Sequence, residues 1–372
     1  MKAKRLFLPL ALAAIGTSAM AQNVTIFGRM DMGLQYIDMD GAKRTGLDTG
    51  IYTASRLGFK GAEDLGGGLS ALFHLEMGIG GDSGTTGGSR LFNRGSLLGL
   101  SGKSLGTLTL GRQYPSTFWP FLNSEEAGPL RLHGYSAVNS IQRSNLLRVT
   151  EGALQVPLVN GTLASGTNGI YSVGISSTFE NNLAVYKTPS FDGLTASLAL
   201  GAPEGYTDSG KLYGANVEYS KGPLYLGGAF NRKYGLVPAT GTNQRTDEAV
   251  LGALYAFTDS FKLWGNLHYW TVDPGLGYTL EGDDFMVGAS YWVGVGEVWA
   301  NYARKSVGSC TDCDSNGFGV GYNHFLSKRT ELYAAYGRVA NQRNAANTLG
   351  GFSPILPGGT VQGLALGIAH VF

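Results

Sequence analysis

The chain has 372 residues, of which 58 are Gly, 11% are aromatic and only 15% are charged, and its formal net charge is +1. That charge balance excludes a nucleic-acid binder built on a basic surface, and a mean hydropathy of −0.02 excludes a bundle of membrane helices. Ordinary globular proteins are about a quarter charged and about 7% Gly. A Gly excess without a collagen period, beside 19 Tyr and 17 Phe, points to many short strands joined by tight turns.

Met1 to Ala21 reads as a secretory signal peptide. Lys2, Lys4 and Arg5 form the basic end, Leu6 to Ile15 the apolar core, and Ser18-Ala-Met-Ala21 the small-residue cleavage site before Gln22. The apolar run is too short to span a hydrocarbon layer of about 30 Å. Losing those three cations from 28 Lys+Arg leaves 25 against 27 acids, a net charge of −2. No later segment has the uninterrupted apolar length of a transmembrane helix.

From Asn23 to Asp38, Val24, Ile26, Met30, Met32 and Leu34 alternate with Thr25, Arg29, Asp31 and Gln35, the two-residue period of a strand. A polar loop, Met39 to Thr49, precedes a second strand, Gly50 to Gly61, with Leu57 and Phe59 outward and Arg56 and Lys60 inward. The turn Glu63 to Gly68 leads to a third strand, Leu69 to Gly78, which sets Ser70, His74 and Glu76 on its polar face. A Gly/Ser/Thr-rich loop, Gly80 to Arg90, leads to strands Leu91 to Ser101 and Thr107 to Gln113. Long polar connections alternate with very short ones, the rhythm of an up-and-down barrel with one rim on each side of a membrane.

The rhythm stops at Tyr114. Pro115, Pro120 and Pro129 argue against regular structure there, and connections of this length are usually functional. Strand pattern resumes at Ile170 to Thr188 and continues through Leu194–Gly201, Leu212–Ser220, Leu224–Tyr234, Glu248–Phe257 and Phe261–Thr271. It ends with Asp284–Val293, Glu297–Val307, Asn316–Phe325, Glu331–Ala340 and Val361–Phe372. The expected fold is all-β: a transmembrane, sixteen-stranded, antiparallel up-and-down barrel, even-numbered as closed bacterial barrels require and wide enough for an aqueous channel. The last strand is regular up to Phe372 and needs a partner, and the expected partner is the strand from Val24 to Leu34. Rings near strand ends, among them Tyr36, Phe257, Trp264, Trp270, Tyr291 and Phe372, suit two interfacial girdles. Cys310 and Cys313 read as a small disulfide in an exposed loop, with no second Cys pair or nearby His to make a zinc site.

Several segments resemble the general porins of Gram-negative outer membranes in their β-proteobacterial form. They are Val24-Thr-Ile-Phe-Gly28, Ser55-Arg-Leu-Gly-Phe-Lys-Gly-Ala-Glu-Asp-Leu-Gly-Gly-Gly-Leu69, Gly106-Thr-Leu-Thr-Leu-Gly-Arg-Gln113, Asn182 to Gly193 and the ending Gly367-Ile-Ala-His-Val-Phe372. The resemblance implies a single barrel domain over residues 22–372 that assembles as a homotrimer in outer-membrane lipid and lipopolysaccharide. It also implies a C-terminal strand recognised by the barrel-assembly machinery, and a third loop, about Tyr114 to Ser140, folded into the lumen as a constriction. Where the family often carries an arginine shortly before Asn181-Asn182, this chain has Thr178 and Phe179, with Arg143 and Arg148 within reach of the same space.

A channel needs a constriction with an oriented field rather than a nucleophile. Parity puts Arg29, Arg56 and Arg94 on the lumen side of neighbouring strands, and the inserted loop offers Glu125 and Glu126 opposite them. Strict alternation sends Arg112 into lipid beside Leu108 and Leu110, but a bulge at Gly111 would turn it inward to the constriction, the placement that the resemblance implies. Lys60, His74, Asp31, Arg131 and Arg143 are further candidates for the pore lining. The expected function is passive diffusion of small hydrophilic solutes and ions with a mild anion preference, set by the net sign of the lining. The alternative is a channel selective for one solute class, motivated by Phe118, Trp119 and Phe121 in the inserted loop. A secreted β-rich adhesin is a third reading, which solubility without detergent would favour. The five histidines show neither metal spacing nor a hydrolytic triad, so neither a metal, a cofactor nor catalysis is expected. Glu281 to Asp284 and Asp312 to Asp314 read as solvated loop acids, with loose Ca²⁺ binding at an outer rim as the alternative.

Overall fold

The computed structural model describes residues 24–124, 146–150, 164–165, 170–174, 178–203, 210–237, 242–273, 275, 277, 279–352 and 354–372. The signal segment, Glu125, Glu126, Arg131 and Arg143 lie outside these residues.

The chain opens with β1 (Thr25–Asp38), β2 (Lys43–Thr49), β3 (Arg56–Gly66), β4 (Leu69–Gly78), β5 (Gly95–Gly102) and β6 (Gly106–Gln113), followed by helix α1 (Phe118–Ser124). Next come β7 (Leu146–Thr150), β8 (Ala164–Ser165) and β9 (Ile170–Gly174), which form a separate three-stranded sheet. The main sheet resumes with β10 (Glu180–Lys187), β11 (Leu194–Gly201), β12 (Leu212–Lys221), β13 (Leu224–Val237), β14 (Thr242–Ala256) and β15 (Phe261–Asp273). It ends with β16 (Leu280–Val293), β17 (Gly296–Val307), β18 (Ser315–Phe325), β19 (Thr330–Asn341) and β20 (Thr360–Val371). Every pairing in it is antiparallel, and strands pair with chain neighbours except that β1 also pairs β3 and β20 and that β6 pairs β10. Because β2 and β3 both pair with β1, they are two lengths of one interrupted strand, and the closed wall counts sixteen.

Closure runs from Arg29 opposite Val371 to Asp38 opposite Gln362. No edge is left along this seam, the condition hydrocarbon imposes on a sheet. Alternation holds around the wall: Leu98, Leu198, Leu251, Leu267 and Leu366 are exposed on one face, whereas Asn216, Asn266, Asn301, Asn323 and Gln35 are buried on the other. An inside-out pattern of this kind fits a wall whose outer face meets lipid. Two rings expected in the girdles belong instead to the inner face. Trp264 and Trp270 are 4% and 0% exposed, because the even-numbered residues of β15 point inward and Tyr269 outward.

Several strands start a few residues away from the expected positions, as β14 does at Thr242, and three differences change the layout of the wall. The segment Lys43 to Thr49, read as polar loop, is a strand that pairs with the upper half of β1, and with Leu47 as its one large apolar residue it shows no two-residue period. Residues 50–55, read as the start of the second strand, leave the ladder instead. The Asp31 carboxylate accepts from the backbone amides of Tyr52 (2.7 Å) and Thr53 (2.6 Å), drawing the segment inward with Ile51, Tyr52 and Thr53 buried. The single strand expected over Ile170 to Thr188 is divided, with β9 in the small sheet and β10 in the barrel.

Candidate functional site on the inner wall

The inner face of β1, β3 and β4 and the residue preceding β5 bring Arg29, Arg56 and Arg94 together. Arg29 and Arg56 are directly opposite in register, a like-charge pairing that is unfavourable unless other charges intervene. Two carboxylates do intervene. Glu331 of β19 pairs with Arg29 across the closure seam and also accepts from Asn323 Nδ2 at 3.1 Å. Glu76 of β4 accepts from Arg94 Nε at 2.5 Å. Arg94, Glu76, Tyr114 and Arg29 all lie close enough to act electrostatically on Arg56. All three arginines are shielded from bulk solvent, with Arg29 and Arg56 buried and the Arg94 side chain 15% exposed. The cluster holds three guanidiniums and two carboxylates, so it retains an excess of positive charge.

The other candidate residues fall around this cluster. His74 lies 3.5 Å from Glu76 and packs its ring on Phe27, and Lys60 sits over that same Phe27 ring at 5.2 Å. Asp31 is wholly buried. It binds the Tyr52 and Thr53 amides and, at 2.7 Å, the Tyr333 hydroxyl, so it clasps the wall together rather than lining a path.

Arg112 sits beside a bulge, but the bulge is not on its own strand. Gly111 has the left-handed backbone, φ +129°, and a Cβ there would meet Ser96 O at 2.2 Å. The register between β5 and β6 nevertheless runs unbroken through it. The irregularity is on the facing strand, β10, where Asn181 and Asn182 together oppose Arg112. A bulge lodges one unpaired residue, and Arg112 uses it, donating from Nη1 to Asn181 Oδ1 at 2.7 Å and from Nε to Asn93 O at 2.7 Å. Arg112 therefore stands apart from Arg29 and Arg56 and meets Arg94 only through the ring of Phe179, which lies 5.6 Å from one guanidinium and 5.2 Å from the other.

Across the interior, residues following Tyr114 turn in and place α1 on the inner faces of β13, β14 and β15. Pro120 is tolerated in this short helix because first-turn amides lack an intrahelical partner anyway. Glycines make room for the helix: a Cβ on Gly252 would come within 2.5 Å of Pro120 O. Asn123 donates to Glu218 at 2.6 Å, and Asn231 to Thr117 at 2.6 Å. Phe121 meets the His268 ring edge-on at 5.2 Å, and His268 in turn lies 3.0 Å from Asp284 and 3.3 Å from Glu248. Tyr114 stacks on Phe118 at 4.0 Å and packs against Phe179. The Phe at the position where an arginine was in question thus joins the inserted segment to the arginine wall.

Sequence reasoning placed Glu76 on the correct face without assigning it a role, and it missed Glu331, Glu218 and Glu248. Parity identifies each as inward-facing. Which arginine or lysine each meets depends on register across strands far apart in the chain. Among the described residues no group of three or more His, Cys, Asp and Glu is arranged to hold a metal ion. Cys310 and Cys313 are joined as a disulfide after β17.

The family model for Gram-negative porins matches residues 10–344. Outer membrane porin protein 32 of Delftia acidovorans is 34% identical, over 99% of this chain and 100% of its own. The solved structure of the anion-selective porin from Comamonas acidovorans superposes with a TM-score of 0.76 at 30% identity, covering 94% of this chain and 100% of that one. The trimer form of OmpT, an outer membrane protein of Vibrio cholerae, shares the fold at 16% identity, with a TM-score of 0.63 over 95% of this chain and all of that one. These relatives are channels rather than enzymes. A closed sixteen-stranded wall, polar within and apolar without, and a family match over most of its length make this chain a member of the Gram-negative porin family, an outer-membrane channel protein.

Proposed function

We propose that the protein passes small hydrophilic solutes and ions passively, that it prefers anions mildly, and that it catalyses no reaction. The observation that carries the preference is the gathering of Arg29, Arg56 and Arg94 on one inner wall, where they outnumber the carboxylates Glu76 and Glu331 interleaved with them. A ring of fixed charge in a pore selects by its net sign, and the name of the Comamonas acidovorans structure is consistent with this sign. In this reading Tyr114 to about Ser140 forms the constriction, and Glu125 and Glu126 face the arginines to set up a transverse field. Arg112 and Lys60 serve at its margins, with Arg131 and Arg143 contributing from the loop. Export removes residues 1–21, and three copies assemble in the membrane, as the trimeric OmpT form suggests. Lipopolysaccharide around the barrel and capture of the C-terminal strand by the assembly machinery belong to the same reading.

Zero-current potentials of the purified protein in planar bilayers under a potassium chloride gradient test it. The expected potential has the sign of chloride flow; a potential of the potassium sign overturns the preference. A second reading, selectivity for one solute class, is favoured by the aromatic group Tyr114, Phe118 and Trp119 at the entrance to α1.

A further inference from the structure

A pocket of about 400 Å³ lies on the inner wall between the Tyr114–Trp119 segment and the short turns that follow β5 and β10. In barrels of this class the short turns are periplasmic, so the pocket is on the periplasmic side of the inserted segment. It is distinct from the Arg29–Arg56 contact, and of the three arginines only Arg94 reaches it. Three features of its lining restrict what it can hold.

The first is charge. Every ionisable side chain of ordinary charge that lines the pocket is basic: His74, Arg94 and Lys187. The carboxylates balancing them stand behind the lining. Glu76 takes the Nε–H of Arg94, and a guanidinium has further donors to offer. Glu218 is buried and already accepts from Asn123 and from Tyr225 at 2.9 Å, and its contact with Lys187 Nζ is long, 3.6 Å. The Lys187 side chain is half exposed and can turn an ammonium proton to a visitor.

The second is an aromatic plate. Trp119 is held edge-on by Tyr114 (5.5 Å) and by Phe118 (6.2 Å), and Lys187 Nζ lies 5.8 Å from its ring centroid. Leu97 and Val185 complete an apolar floor. The third is the state of the neutral polar groups. Thr109 donates to Gln113 at 2.6 Å, and Ser197 donates to Asn216, so the groups that would read a sugar's hydroxyls are engaged with one another.

We infer that this pocket is a binding site for a small aromatic carboxylate, its ring against Trp119 and its acid group between Lys187 and Arg94. A cavity of this size suits one ring with one acid group, and a cation beside an indole adds to the attraction of a stacked ring that carries negative charge. The inference rests on the channel reading above and gives that channel a preferred solute class.

Single-channel current in potassium chloride, titrated with benzoate, acetate or benzamide, tests it. Benzoate is expected to reduce the current at concentrations at least about tenfold below those at which acetate or benzamide acts, since neither has both features. Trp119→Leu and Lys187→Gln should each weaken the benzoate effect by about fivefold or more, the scale of one cation–ring or ring–ring contact. Heat-modifiable mobility on electrophoresis, matching that of the unaltered protein, would show that both variants fold. Equal potency of benzoate and acetate, or benzoate block unmoved in both variants, overturns the site while leaving the channel intact. Absence of any conductance from the unaltered protein overturns the channel reading itself.

Discussion

The backbone amide of Gly28 donates to the carbonyl of Phe372 at 3.0 Å, and the amide of Phe372 returns a bond to the carbonyl of Gly28 at 3.1 Å. This reciprocal pair fastens the two ends of the wall. The Phe372 ring lies directly over Gly28, where an added Cβ would approach it to 2.5 Å. Gly28→Leu is therefore expected to obstruct closure and to reduce the yield of folded barrel severalfold. The comparison is the fraction showing heat-modifiable mobility on electrophoresis against that of Ile26→Leu, an exposed change on the same strand.

Arg29 and Glu331 form a buried pair, and removing one partner leaves the other charge uncompensated. Glu331→Gln should cost about 3–5 kcal/mol of stability. The double change Arg29→Met with Glu331→Leu should recover a large part of that loss, since replacing a whole buried pair with apolar groups is often neutral. Urea midpoints of the refolded barrel measure both, and equal losses in the single and double variants would contradict the pairing.

Arg56→Glu reverses a charge within the arginine cluster and adds an acid beside Glu76. The anion-to-cation permeability ratio should fall by about fivefold, the order expected from two units of charge acting through a largely aqueous medium with salt screening. The zero-current potential in a salt gradient reads this directly, and an unchanged value would place Arg56 off the conduction path.

Asp31→Ala removes the acceptor for the Tyr52 and Thr53 amides and for the Tyr333 hydroxyl. Hydrogen bonds to a charged group contribute about 1.5–3 kcal/mol each, so the inward excursion at residues 50–55 should loosen. Chymotrypsin is expected to cut after Tyr52 in the variant and to leave the parent intact there, with fragment masses as the readout.

The wall was legible in the sequence because a sheet between lipid and water must alternate along its whole length. The run from Val361 to Phe372 displays that requirement, and its pairing with the first strand, which the structure places at Arg29 to Asp38, followed from the need to leave no edge. The strand Lys43–Thr49 was not legible, since a single large apolar residue, Leu47, makes no alternation to announce it. Nor was the departure of residues 50–55 from the ladder, which depends on a carboxylate about twenty positions earlier. At the site, parity located the three arginines but not their partners. Glu331 lies 302 positions from Arg29 in the chain and meets it only through the register of β19, β20 and β1. A bulge was expected at Gly111 to keep Arg112 out of lipid, yet it formed opposite, where Asn182 takes the left-handed conformation and Asn181 supplies a side-chain acceptor.

The clasp at Asp31 also bears on how such a passage behaves in time. One of its oxygens holds the Tyr52 and Thr53 amides and the other holds Tyr333, whose ring in turn stacks on Tyr52 at 5.0 Å. The excursion is thereby riveted to the frame on two sides, and it cannot swing without unbuttoning the frame as well. Flicker in the channel's current is therefore expected to be no greater in the unaltered protein than in Asp31→Ala, where these ties are cut.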